Sequence, residues 1–254
     1  MDALLDLKNV SVHFTGLKAL TDVSMTARGG EIKAVIGPNG AGKTTLFNVI
    51  SGYVEPTAGE IFLRGEPIHG LAPHHISERG VRRTFQNGGL FGEMTVLENV
   101  LTGLHVDINS SFFGLLFGTK AARDAEREAT ARARKLLASM DMSEFADQQV
   151  KSLSGGQQRI VEIVRTVATA PPLMLLDEPA VGLSPPMRER MMEIIKRLAG
   201  EQGVAILLIE HAIDLVMAGA DVIVVLNAGE KIAEGPPQEI REDRTVLEAY
   251  LGHV

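Results

Sequence analysis

The stretch Gly37-Pro38-Asn39-Gly40-Ala41-Gly42-Lys43-Thr44-Thr45 fits the phosphate-binding template of Gly, four residues, then Gly-Lys-Thr. Ile32 to Ile36 before it reads as a buried strand, and Thr44 to Ser51 after it as the start of a helix. That strand–loop–helix setting is the context the template requires. Glycines let backbone N–H groups close around phosphate oxygens while the new helix turns its positive end to the same anion. Lys43 is placed to neutralise the β- and γ-phosphates and the Thr44 hydroxyl to hold Mg²⁺. Gly-rich strand-to-helix turns also occur without ligands, but nine residues in register on the right flanks decide for a nucleotide site.

Working outward, 254 residues with 45% hydrophobic content suffice for one large domain with a full core. The net charge of −7 argues against a nucleic-acid-binding surface. Without cysteine there are no disulfides, thiolate metal sites or cysteine nucleophiles. The start, Met1-Asp2-Ala3, lacks the basic and apolar regions of a signal peptide, and no apolar run approaches the ~20 residues of a spanning helix. The expectation is a cytoplasmic protein that meets a membrane only through partners.

Before the loop, Val10, Val12 and Phe14 alternate with Ser11 and His13 as in a half-buried strand. Gly59 to Arg64 gives a second strand signal, so an antiparallel lobe is expected beside the phosphate-binding core. Phe14 reads either as core packing or as a platform for adenine, since every base offers a π-face. After Phe85-Gln86 the pattern turns helical, over Thr95 to Leu104 and Lys120 to Met140. The second of these helices carries a favourable Glu128–Arg132 i,i+4 spacing. Between the two, Phe112-Phe113-Gly114-Leu115-Leu116-Phe117 is an apolar run in polar surroundings, either buried under the helical lobe or offered to a partner.

Leu153-Ser154-Gly155-Gly156-Gln157 opens a helix that runs to about Ala170, with Ser154 as N-cap and a second exposed helix N-terminus for an anion. Leu173 to Leu176 has the continuous apolar character of a central parallel strand and ends in Asp177-Glu178. Two adjacent carboxylates there ask for a cation, Asp177 in the Mg²⁺ shell with Glu178 directed at the attacking water. Ser184-Pro185-Pro186 starts a further helix with apolar positions Met191, Ile194, Ile195 and Leu198. Val204 to Ile209 is another apolar strand, followed by Glu210-His211, and Asp221 to Leu226 is the next. Strands alternating with helices predict a parallel α/β core whose ligands gather at the strands' carboxyl ends. The loop, Asp177-Glu178 and His211 all follow such ends. His211 is thereby a candidate γ-phosphate contact, with a plain surface histidine as the bland reading.

Together these elements resemble the ATP-binding subunit of an ATP-binding-cassette (ABC) transporter over essentially the whole chain. The resemblance rests on Gly37 to Thr45 (Walker A), Gln86 (Q-loop), Leu153 to Gln157 (signature), Leu173 to Glu178 (Walker B) and His211 (H-loop), in family order. It implies a P-loop α/β core with a parallel sheet, an antiparallel β lobe and a helical subdomain of about 87–153 inserted in one domain of 1–254. It also implies that Gly37, Pro38, Asn39, Gly40, Ala41, Gly42, Lys43, Thr44 and Thr45 bind ATP with Mg²⁺. Gln86 would contact Mg²⁺ and water and sense the membrane partner, Glu178 would be the general base, and His211 would hold the γ-phosphate. Ser154, Gly155, Gly156 and Gln157 would close on the ATP of a second, related or identical ATPase subunit in a head-to-tail dimer. Two permease subunits, and indirectly a substrate-binding protein outside the cell, complete the implied assembly at the inner face of the membrane.

Gly182-Leu183-Ser184 departs from the family's usual Ala-Leu-Asp, which puts the aspartate contact across the dimer in doubt. That Gly-Leu pair, the helical-lobe insertion and the ending Ala249-Tyr250-Leu251-Gly252 resemble the importer subfamily for branched-chain and related hydrophobic amino acids, which also includes urea and aromatic-acid importers. The rivals are a soluble ABC ATPase of iron–sulfur cluster assembly and a DNA-repair or chromosome ATPase. The second conflicts with the acidic balance and with a span from Lys43 to Ser154 too short for a long coiled coil.

Overall fold

The structure, a computed structural model, describes residues 3–84, 89–104 and 120–251. Gln86 and the run Phe112 to Phe117 lie outside them. The described residues fall into two compact units, one drawn from within 1–83 and 172–254 and the other from within 84–171.

In the first unit, β1 (Leu5–Phe14), β2 (Leu17–Ala27), β4 (Ala58–Leu63) and β5 (Glu66–Pro67) make an antiparallel sheet in the order β2-β1-β4-β5. The second sheet has the order β10-β9-β3-β8-β7-β6. It contains β3 (Ile32–Ile36), β6 (Val81–Arg83), β7 (Leu173–Asp177), β8 (Ala205–Ile209), β9 (Val222–Asn227) and β10 (Glu230–Gly235). All its pairings are parallel except β9 with β10. The strands β3, β7 and β8 are buried at every residue, which is why they read as continuous apolar runs. Lys33 and Asp177 are the charged exceptions, and the Lys33 ammonium is answered by Glu234 at 2.7 Å.

The pleat sends successive side chains of β3 to opposite faces. Val35 joins a core with Leu5, Leu7 and Leu20 of the antiparallel sheet and Leu46, Phe47 and Ile50 of helix α1 (Lys43–Ile50). Ala34 and Ile36 join a second core with Val216 of α7 (Ile213–Gly219), Ile240 of α8 (Pro237–Glu242) and Val246 of α9 (Arg244–Leu251). Side chains the size of Phe47 or Leu46 contribute roughly 1.5–3 kcal/mol each when fully buried. The helix α6 (Pro185–Gln202) buries Met191, Ile194, Ile195 and Leu198 as its periodicity predicts. Ser184 stands at its N-cap position without a side-chain capping bond, so Pro185 and Pro186 carry the helix start instead. Two short elements, α2 (Pro73–Glu78) and β6, have no clear pattern in the sequence.

The second unit is helical, with α3 (Val96–Leu104), α4 (Lys120–Ser139) and α5 (Gly155–Val167). Val100, Leu104, Leu137, Ile160 and Val164 are buried in it. At Gly103 α3 packs closely against α5: an added Cβ would lie 2.3 Å from the Arg165 carbonyl oxygen. The Glu128–Arg132 spacing does not serve as expected, because Arg132 donates to the Ala168 carbonyl at 2.9 Å.

Candidate active site

In the sheet order, β3, β8 and β7 are neighbours, so the three segments that follow them emerge side by side. Val35, Ile209 and Asp177 lie in one row of the ladder. The next residues along each strand lead directly to Gly37, Glu210-His211 and Glu178. Gly37 has φ 151°, and a Cβ there would lie 2.0 Å from the Leu226 carbonyl oxygen, so the first glycine of the loop is demanded by strand packing as well as by phosphate access. The Lys43 ammonium curls back on the loop, donating to the carbonyls of Gly37 at 2.7 Å and Pro38 at 3.0 Å. Burial pushes its pKa down, against the opposing pull of the Glu178 and Asp177 carboxylates. An anion at the loop would favour the ammonium further.

Glu178 sits in the left-handed region with φ 50°, a conformation that costs a non-glycine residue about 1–3 kcal/mol. Its N–H donates to the Ile209 carbonyl at 2.9 Å, which fixes the turn after β7 to the end of β8. The Glu178 carboxylate accepts from His211 Nε2 at 2.8 Å. Asp177 is buried and accepts from Arg83 Nη2 at 2.9 Å. Arg83 also donates to Asn48 on α1 at 2.7 Å and to Ser51, just past the end of that helix, at 3.2 Å, joining β6, β7 and the helix behind the loop.

Lys43, Glu178 and His211 line a cavity of about 340 Å³ together with Phe14, Leu17 and the rest of Gly40 to Thr45. The volume is within the range of small-ligand sites. Phe14 is 47% exposed at its edge, which separates it from the core formed by Val10 and Val12. The Thr44 hydroxyl and the Asp177 carboxylate are hard oxygen donors of the kind Mg²⁺ takes, so the residues present fit that ion.

In the helical unit, Ser154 caps α5: its Oγ accepts from Gln157 N–H at 3.3 Å, and Gln157 Oε1 accepts from Ser154 N–H at 2.9 Å. The reciprocal pair completes a capping box. An added Cβ on Gly155 would meet nothing within 4 Å, leaving that helix start open to approach. The structure thus brings the loop, Asp177, Glu178, His211 and Phe14 together, and places Ser154 to Gln157 in the other unit.

Residues 20–181 match the family model described as ABC transporter. The chain is 44% identical over 249 residues to the high-affinity branched-chain amino acid transport ATP-binding protein BraF of Pseudomonas aeruginosa, covering 98% of both proteins.

The chain belongs to the ABC transporter family, among its ATP-binding subunits.

As an ABC ATPase it also resembles LivG of Escherichia coli, named as a high-affinity branched-chain amino acid transport ATP-binding protein, at 42% identity with 98% of each chain covered. Residues 230–254 match a second model, branched-chain amino acid ATP-binding cassette transporter. Among solved structures, the ADP conformation of MJ1267, an ATP-binding cassette of an ABC transporter, superposes with a TM-score of 0.85 at 32% identity over the whole of both chains. The fold is that of the ABC ATPase, and ATP is the substrate of such cassettes. Two residues of this ABC ATPase escaped sequence reasoning. Arg83 gave no signal, because its partners are distant in the chain. Glu210 gave one, being an acid at the end of a buried strand like Asp177.

Proposed function

We propose that this chain is the ATP-hydrolysing subunit of an importer for branched-chain or related hydrophobic amino acids. The observation that carries the chemistry is the Glu178–His211 pair, 2.8 Å apart, on the wall of the cavity whose floor is the phosphate loop. ATP lies with its phosphates against the N–H groups of Gly40 to Thr45 and the Lys43 ammonium, and its adenine on Phe14. Glu178 orients a water and takes its proton as the water oxygen bonds to the γ-phosphorus and the bond to the ADP oxygen breaks. His211 leaves Glu178 to hold the γ-phosphate. Mg²⁺, held by Thr44 and Asp177 with Gln86, would supply charge neutralisation at the β- and γ-oxygens. Ser154 to Gln157 of one subunit close on the ATP of a second ATPase subunit.

The names of the BraF and LivG relatives and the match over 230–254 support amino-acid import over the iron–sulfur reading and over urea or aromatic acids. Among the described residues no helix is long and apolar enough to cross a membrane. The chain then works on the cytoplasmic face, docked to two permease subunits that an external binding protein supplies. We divide it as one domain of 1–254 with a helical subdomain of about 87–153. The test is co-purification of the full chain with its membrane partners, followed by labelled leucine uptake into proteoliposomes. ATP-dependent uptake, abolished by Lys43→Ala, is expected. Co-purification with a cluster-assembly scaffold, or stimulation by urea but not leucine, would overturn the reading.

A further inference from the structure

Glu210 follows β8 directly and precedes His211, yet no step above uses it. Its side chain is all but enclosed, at 2% exposure for the residue. One carboxylate oxygen accepts the Ala180 N–H at 2.7 Å and the other accepts the His211 N–H at 3.2 Å. The Ala212 N–H bonds the same carboxylate. Ala180 belongs to the turn after β7, two residues beyond Glu178, whereas His211 and Ala212 belong to the turn after β8. A single side chain therefore grips both turns that carry the Glu178–His211 pair.

Burial pushes the Glu210 pKa up, the three N–H groups oppose this, and the nearby Glu178 charge adds to the rise. A carboxylate is thus an electrostatically unfavourable occupant of this position. It is also the side chain with two acceptor oxygens, whereas a glutamine would turn an NH₂ group against one of the N–H donors. The turn it braces holds Glu178 in the left-handed region, a conformation that persists only where its surroundings over-determine it.

We infer that Glu210 is a positioning residue, whose carboxylate ties the turn after β7 to the turn after β8 and so sets the spacing of Glu178 and His211. This rests on the reading of those two residues as the pair that handles the water and the γ-phosphate.

The test uses the full chain in its assembled transporter, with Glu210→Gln, Glu210→Asp, Glu178→Gln and the Glu178→Gln/Glu210→Gln double variant. Misplacing a reacting group by an ångström can lower turnover by roughly 10²-fold. Glu210→Gln should therefore lose about 10- to 100-fold in kcat with KM for ATP and binding of a fluorescent ATP analogue within about twofold of normal. Glu210→Asp, one methylene too short to span both turns, should lose kcat in the same selective way, and it decides the matter if Glu210→Gln does not fold. In single turnover the loss in the double variant should be clearly less than the product of the two single losses, because one of the two positioned groups, Glu178, is already gone. Turnover within about twofold of normal in the folded Glu210 variants would overturn the inference. So would equal losses in kcat and ATP affinity, or additive losses in the double variant. A fast Glu178→Gln enzyme would remove the underlying site reading; a slow one beside normal Glu210 variants would remove this inference alone.

Discussion

Arg83 has partners 94 and 35 positions away in the chain, Asp177 and Asn48, and both are joined only by the folding of β6 against β7 and α1. The Arg83 and Asp177 side chains are 7% and 8% exposed, so their charges depend on each other rather than on water. Removing one partner of a buried ion pair destabilises by about 3–5 kcal/mol. Arg83→Ala should accordingly lower the melting temperature by many degrees, a far larger fall than Ala substitution of the exposed Arg127 on α4 produces. Equal small shifts for both would show that Asp177 is held by other groups. Glu178 and His211 were legible because each follows a buried strand within a fixed motif. Arg83 was not, since a lone arginine in a short strand announces no partner.

Helix starts were more readable than helix stops, α3 and α5 beginning one residue after the Thr95 and Ser154 read from the sequence. In α3, the Glu98 carboxylate accepts from the Thr95 N–H at 2.7 Å and the Thr95 hydroxyl at 2.9 Å, while Glu98 N–H donates back to Thr95 Oγ1 at 3.1 Å. The Thr95 N–H, and then its hydroxyl, hold the Glu98 pKa below its usual 4.5. A carboxyl depressed in the folded state contributes stability above its unfolded pKa and loses it as pH falls through the folded value. The stability gap between wild type and Glu98→Ala should thus be open at pH 7 and close in acid, as followed by thermal melts across that range. A gap independent of pH would assign the effect to helix propensity. The strand β2 was missed for a different reason. Its register against β1 shifts three times, and the period-2 alternation survives only from Val23 to Ala27. The expected strand over Gly59 to Arg64 and the helix expected to reach Ala170 differ from β4 and α5 only at their ends, where capping and fraying rather than periodicity decide.

At the scale of the whole molecule, one compact unit holds the phosphate loop with Glu178 and His211, and the segment between its two stretches forms the other, which holds Ser154. The sheet topology explains why residues far apart in sequence share one cavity, and the alternation of apolar strands with helices made that topology legible. The sharing of ATP between subunits is a matter of assembly, and mixing can test it. A subunit carrying Ser154→Arg, combined with one carrying Lys43→Ala, leaves one site intact and one doubly broken. Where homodimers form, the mixture should recover ATPase activity that neither variant shows alone; no recovery would contradict sharing in trans. Hydrolysis depends on Glu178 acting on a water at the phosphate loop. The most direct measurement is ATP turnover and retention by Glu178→Gln in the assembled transporter. Turnover should fall by roughly 10²–10⁴-fold while ATP stays bound and holds the subunits together. Hydrolysis at a near-normal rate would contradict it.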